Sequence, residues 1–124
     1  MLGDYDGIPK WLVPFTDSKT FCVLPWTHMA TWTDGRALLC CVAKPSEHNL
    51  NYENVSDIWN SDHWRDARKA LLKGEQYPPC SYCWKEEAAG IRSHRMNENR
   101  ICKTSLGNDY IQNLVSKTDE DGYL

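Results

Sequence analysis

The spacing of four cysteines constrains this chain more than any other feature: Cys22 and Cys40 flank Asp34-Gly35, and Cys80-Ser81-Tyr82-Cys83 follows after a long intervening stretch. A Cys-x-x-Cys turn lets two thiolates converge on one metal centre, and a hairpin turn at Asp34-Gly35 folds Cys22 and Cys40 back toward each other. Cys22, Cys40, Cys80 and Cys83 are therefore the candidate metal ligands. Four thiolates suit either a tetrahedral zinc ion or a [4Fe-4S] cluster, and ligand softness alone does not separate the two. Buried structural thiols are the plain alternative, because free cysteine is among the most buried residue types. Cys41 is expected on the opposite face of the strand that carries Cys40, and Cys102 as a free thiol without a partner in the pattern.

Six cysteines in 124 residues fall short of the roughly 8–10% typical of small disulfide scaffolds. In a reducing compartment such cysteines more often bind metal or do redox chemistry. The first twenty residues carry Asp4, Asp6, Lys10 and Asp17 where a signal peptide needs an apolar run, and no stretch approaches the roughly 20 apolar residues that span a bilayer. A soluble cytoplasmic protein without membrane association is expected. The length suits one domain that buries roughly two-thirds of its unfolded-chain surface. Fourteen basic against seventeen acidic residues give a net charge of −3, which argues against a dedicated duplex-binding protein and against nucleic acid as the main partner.

Residues 1–20 mix Pro9, Pro14 and the isolated aromatics Tyr5, Trp11 and Phe15 without a period, and read as an irregular N-terminal segment. Residues 26–33 read as a strand, Asp34-Gly35 as a two-residue hairpin turn, residues 36–42 as the returning strand and residues 43–53 as a connection. A short turn over 55–60 precedes a helix over 62–73, with Ser61 as N-cap, the apolar stripe Trp64, Ala67, Leu71 and Leu72, and Gly74 after its end. Pro78-Pro79 breaks the chain before Cys80. A second helix is expected over 84–97, with Trp84, Ala88 and Ile91 on one face and Gly90 weakening its interior. Residues 104–124 read as a C-terminal tail or linker, acidic and mobile over 117–122. The expected fold class is thus α+β: a small domain over residues 21–103, in which a β-hairpin and following helices surround one metal centre, with irregular termini.

The order Cys22, Gly35, four residues, Cys40, a gap, then Cys80-x-x-Cys83 resembles the auxiliary-cluster module of radical SAM enzymes, called SPASM in its two-cluster form and twitch in its one-cluster form. Cys22-x-x-Pro25-Trp26, Thr33-Asp34-Gly35, Cys40-Cys41-Val42, Ile58-Trp59-Asn60-Ser61 and Cys80-x-x-Cys83-x-x-Glu86-x-x-Ala89-Gly90 are similar to a twitch-like region of radical SAM proteins of bacteria and their phages. The resemblance implies one [4Fe-4S] cluster on Cys22, Cys40, Cys80 and Cys83. Ala89 and Ser93 stand where the two-cluster form has further cysteines, so a second cluster lacks ligands. A Cys-x-x-x-Cys-x-x-Cys core, which leaves one iron open to S-adenosylmethionine, is absent from the sequence, and Gln76 stands where its first cysteine would precede Cys80. The chain is therefore expected not to be an enzyme by itself. It reads as a stand-alone module or an N-terminal fragment of a radical SAM enzyme, and the resemblance to phage proteins leaves open a phage-encoded chain working in a host cytoplasm.

Other residues invite sharper readings beside plainer ones. His28 is six residues from Cys22 and could complete a mixed site, although a hydrogen-bonded histidine outside it is the simpler reading. Trp11, Trp26, Trp32, Trp59, Trp64 and Trp84 read mostly as a shield for a small core and the cluster. Arg92, His94, Arg95, Arg100 and Lys103 form a basic segment, diluted by Glu86, Glu87 and Glu98, that reads as a solvated face or a docking surface for a protein partner. The leading expectation is electron transfer or cluster-stabilised partner binding. A zinc-stapled binding module with four cysteine ligands, for a protein or nucleic acid, is the alternative.

Overall fold

The computed structural model describes residues 18–124. Tyr5, Pro9, Trp11, Pro14 and Phe15 of the expected irregular segment lie outside the described residues. The fold is a small α+β arrangement: α1 (Leu24–Thr27), β1 (Ala30–Thr31), β2 (Ala37–Leu38), α2 (Val55–Trp59), α3 (Asp62–Leu72), α4 (Ser81–Ala88), α5 (His94–Leu106) and α6 (Asn108–Ser116). A 3-10 turn over Pro78–Cys80 leads into α4.

The hairpin forms at the expected place and is shorter than expected. Pro25 sits at the start of a single helical turn, so Leu24–Thr27 is α1 rather than strand. The strands pair antiparallel at Ala30 with Leu38 and Thr31 with Ala37, and an isolated antiparallel bridge joins Arg36 to Asn49. The Trp32 N–H donates to Arg36 O at 3.0 Å and the Gly35 N–H to Trp32 O at 2.9 Å. These bonds enclose three loop residues rather than two, with Gly35 at φ +92°, the left-handed position that closes a three-residue hairpin loop. The following connection reinforces this turn. Leu50 N–H donates to Gly35 O at 2.9 Å and Ala37 N–H to His48 O at 2.9 Å, while the Asn51 side-chain amide reaches Asp34 O at 3.0 Å.

Helix α3 has the expected stripe: Trp64, Ala67 and Leu71 are buried and Leu72 is half-buried. Ser61 occupies the N-cap position without a side-chain cap bond, and Asp62 Oδ1 instead accepts from the His63 N–H at 2.8 Å. Arg68 shares the buried face and is fully buried. Its guanidinium donates to the carbonyls of Pro25, Gly122 and Trp59 at 3.0, 3.0 and 2.7 Å, and to Asn60 Oδ1 at 3.0 Å. Burial lowers its pKa to about 10, still well above neutrality, so the charge persists and four oxygens solvate it.

Two expectations are corrected. The helix expected over 84–97 is broken in two, because α4 ends at Ala88, Gly90 adopts φ +78° and Ser93 caps α5 by accepting from the Met96 N–H at 3.2 Å. Residues 104–124, expected as a tail or linker, carry α6, whose Ile111 and Val115 are in the core. The segment beyond α6 is tied down as well. Trp26 Nε1 donates to Thr118 Oγ1 at 2.7 Å, Leu124 N–H to Asn60 Oδ1 at 3.0 Å, and Arg65 stacks over Tyr123 with 4.5 Å to the ring centroid. Among the described residues, no helix is long and apolar enough to cross a membrane.

Candidate metal centre

Each candidate cysteine sits on a different kind of local structure. Cys22 precedes α1, in a segment that α5 clamps: Asn99 Oδ1 accepts from the Val23 N–H at 2.9 Å, and Asn99 Nδ2 and Arg95 Nη1 both donate to Phe21 O, at 2.8 and 2.7 Å. Cys40 lies in a turn beyond β2, where the Ala43 N–H donates to Cys40 O at 3.2 Å. Cys80 is the N-cap of α4 and Cys83 lies in its first turn, one turn further along the same side, where the helix dipole favours thiolate. One backbone bond joins the two halves of the set: the Lys44 N–H donates to Pro79 O at 2.9 Å.

These elements bring Cys22, Cys40, Cys80 and Cys83 around one narrow, almost wholly apolar cavity. Leu24, Val42, Ala43 and Trp84 supply its apolar wall, and His94 and Arg95 close it from the start of α5. All four are free thiols. Burial raises the pKa of each: Cys80 is pushed up to about 12, and Cys22, Cys40 and Cys83 also rise above the ordinary thiol value. Mutual repulsion between the sulfurs adds to the shift at Cys22, Cys40 and Cys80. Backbone N–H groups oppose it, from Leu24 toward Cys22, from Val42 and Ala43 toward Cys40, and from Arg95 toward Cys83. A cation that takes this site must displace protons, and these N–H groups then meet sulfurs with full negative charge.

Among the described residues, no three His, Cys, Asp or Glu side chains converge on a point from which they could hold one metal ion. A zinc ion needs its sulfurs at about 2.3 Å from a single point. A cluster offers each thiolate a different iron, so its ligands stand apart around a common cavity. Four thiols lining one apolar-walled cavity can each meet a different iron of a cluster.

The other expected residues separate cleanly. Cys41 is exposed, not on a strand, and its Sγ stands 3.8 Å from His94 Nε2; the turn after β2, rather than strand alternation, parts it from Cys40. Cys102 is half-buried against the core and does not line the cavity. His28 is exposed and also lies outside it. Trp26, Trp64 and Trp84 are buried, Trp84 in the cavity wall itself, whereas Trp32 is 46% exposed. Trp11 lies outside the described residues.

Arg95, expected on a solvated or docking face, is instead buried between the cavity and Glu87. Its Nη2 donates to Glu87 Oε1 at 2.7 Å and its Nε to Glu87 Oε2 at 2.9 Å, while Ser93 Oγ adds a bond to Oε2 at 2.6 Å. Burial works against charge on Glu87, but these bonds outweigh it and hold its carboxyl below the usual range. Sequence reading missed Glu87, Arg95 and Asn99 as builders of the site. The available signal was the Arg95/Asn99 spacing of one helical turn directly after a Cys-x-x-Cys helix.

Ala89 and Ser93 mark the positions where the two-cluster form would carry further ligands, and here Ala89 is the C-cap of α4 and Ser93 the N-cap of α5. No curated protein and no solved structure matches the chain. The SPASM iron-sulfur cluster-binding domain matches residues 22–84, just over half of the sequence and a span that runs from the first of the four cysteines to just past the last. The chain belongs to the SPASM family of iron-sulfur cluster-binding domains.

Proposed function

We propose that Cys22, Cys40, Cys80 and Cys83 hold one [4Fe-4S] cluster and that the domain passes single electrons to or from a protein partner. The observation that carries this reading is the sharing of one apolar cavity by four thiols in a chain of the iron-sulfur cluster-binding SPASM family. When bound, such a cluster supplies reversible one-electron chemistry. Four protein ligands leave every iron occupied, which suits electron transfer and disfavours chelation of a substrate.

The surrounding residues have defined duties in this reading. Trp84, Leu24, Val42 and Ala43 keep water from the sulfurs, and the N–H groups of Leu24, Val42, Ala43 and Arg95 stabilise them as thiolates. Cys41 and His94, beside the cavity and partly open to solvent, mark the side from which a redox partner can approach. A catalytic radical SAM core on the same or a separate chain is one such partner, because the sequence contains no Cys-x-x-x-Cys-x-x-Cys triplet of its own.

Anaerobic reconstitution followed by stepwise chemical reduction tests the reading. The brown protein is expected to bleach and recover reversibly with a reduced-state paramagnetic signal, and to form no 5′-deoxyadenosine when S-adenosylmethionine is added. Production of 5′-deoxyadenosine in proportion to cluster content contradicts the closed site, and a colourless zinc-loaded protein contradicts the cluster.

A further inference from the structure

We propose that a cleft on the outer side of Arg95 binds a compact oligophosphate anion, and that Arg95 couples this anion electrostatically to the cysteine cavity. The cleft has a volume of about 450 Å³ and is lined by Lys19, Arg92, Arg95, Arg100, Lys103 and a single carboxylate, Glu87. That volume lies within the roughly 300–1,000 Å³ of small-molecule sites. Glu87 is fully engaged by Arg95 and Ser93, so its charge offsets Arg95, while Lys19, Arg92 and Arg100 also line the space, Arg92 with its Nε donating to the neutral Asn97 Oδ1 at 2.6 Å. Arg100 and Lys103 follow Met96 at helical spacing on one side of α5, and Arg92 stands just before its N-cap. This concentration of positive charge occurs in a chain whose net charge is −3.

The chemistry of the lining selects the ligand class. Arginine forks match the oxygens of phosphate groups, and Met96 is the one apolar side chain in the lining, so a hydrophobic ligand finds little to rest on. An extended polyanion, such as a nucleic acid or an anionic membrane, would meet the acidic remainder of the surface. A compact anion stays inside the cleft, within about one Debye length of its cations.

Arg95 gives the cleft a second consequence. It lines both the cleft and the cysteine cavity, its backbone N–H is directed at the Cys83 sulfur, and its guanidinium lowers the cost of charge there. Negative charge placed beyond Arg95 opposes the addition of an electron on the other side. Anion binding therefore lowers the reduction potential, and by reciprocity reduction weakens anion binding by the matching factor. This coupling rests on the ligand set proposed above, whereas the anion site itself does not.

Isothermal titration of inorganic tripolyphosphate into the metal-loaded protein at low ionic strength tests the site. One-to-one binding is expected, weakened at least about tenfold in an Arg92→Gln/Arg100→Gln variant and unchanged in Lys73→Gln, which alters an exposed lysine elsewhere. Absence of binding, or binding indifferent to the double substitution, overturns the site. Tighter binding of a hexaglutamate peptide, of a single-stranded oligonucleotide or of phosphatidylglycerol vesicles overturns the compact-phosphate assignment in favour of that partner. Redox titration tests the coupling: tripolyphosphate is expected to lower the potential of the wild type and not that of the double variant. An unmoved potential with intact binding overturns the coupling alone, and tripolyphosphate binding to a protein that takes up zinc instead of iron defeats the cluster reading while the cleft stands.

Discussion

Two buried arginines organise two regions of the molecule in opposite ways. Arg68, between α1, α2, α3 and the C-terminal segment, is held by four oxygens, three of them backbone carbonyls and the fourth the neutral Asn60 amide. Around it, Trp26, Ile58, Trp64, Ala67 and Leu71 are packed in the hydrophobic core, where the Trp64 indole N–H has no hydrogen-bond partner among the described residues. Arg95, beside the cysteines, is paired with Glu87 and borders a cavity whose remaining wall includes four thiols. Between Cys22 and Cys40 lie the single turn α1 and the two-residue strands β1 and β2, and a backbone bond from Lys44 to Pro79 ties this part to Cys80 and Cys83. One arginine is buried within the hydrophobic core, and the other borders the cavity proposed to hold the cluster.

The largest expected effect comes from emptying the second region. Cys22→Ala, Cys40→Ala, Cys80→Ala and Cys83→Ala each deplete the metal, while Cys41→Ala and Cys102→Ala spare it, as metal analysis would read. Hydrogen exchange in the metal-free protein should then rise over 40–44 and 78–84 while residues 64–71 of α3 keep their protection. Equal loss in both regions would dissolve the contrast.

Next in size is Arg68→Met. It keeps bulk and removes the donors, leaving the carbonyls of Pro25, Trp59 and Gly122 without their partner, at an expected cost of about 2–4 kcal/mol in chemical denaturation. Metal content per folded chain should not change. Glu87→Gln acts on the other arginine with a smaller effect on stability, and its diagnostic readout is redox. With the carboxylate charge gone, Arg95 is no longer offset and the reduction potential should rise; a fall would mean that Arg95 does not face the centre.

The smallest effect sharpens the boundary of the first region. His48 bridges Glu53 Oε1 at 2.8 Å and Asp62 Oδ1 at 3.1 Å, linking the hairpin connection to the start of α3. Burial works against charge on His48, and the hydrogen bonds and charges of Glu53 and Asp62 outweigh it, so its pKa lies above the ordinary value of 6.5. The folded state thus holds this proton more tightly than the unfolded chain. Its contribution is fully present below about pH 6.5 and fades as pH rises through the raised pKa. Thermal unfolding across this window should lose a modest slope in His48→Gln, with no change in metal content.

The parts of this architecture that were legible in sequence are those written by apolar spacing and turn chemistry. The hairpin apex at Asp34-Gly35 and the stripe of α3 fall in that class, because periodicity and glycine encode them locally, and cysteine spacing pointed to the cavity that Cys22, Cys40, Cys80 and Cys83 share. Arg68, Arg95 and Asn99 were not legible as core residues. A polar side chain on a helix reads as solvated, and only the folded chain supplies the distant carbonyls of Pro25, Phe21 and Gly122 that satisfy it. The break at Gly90 was visible as a weakness, and Ser93 as a cap decides it. In α6 the spacing of Ile111, Leu114 and Val115 carried a helical signal that the polar composition of the segment obscured.

The central claim, that four cysteines hold one cluster in one cavity, is tested most directly by iron and acid-labile sulfide analysis of the anaerobically reconstituted protein, with Mössbauer spectroscopy on the same samples. The account predicts about four irons and about four sulfides per chain in a [4Fe-4S] signature, lost in the four single-cysteine variants and kept in Cys41→Ala and Cys102→Ala. A stoichiometric zinc ion without sulfide, or a cluster that survives loss of Cys40 and disappears with Cys41, would contradict it.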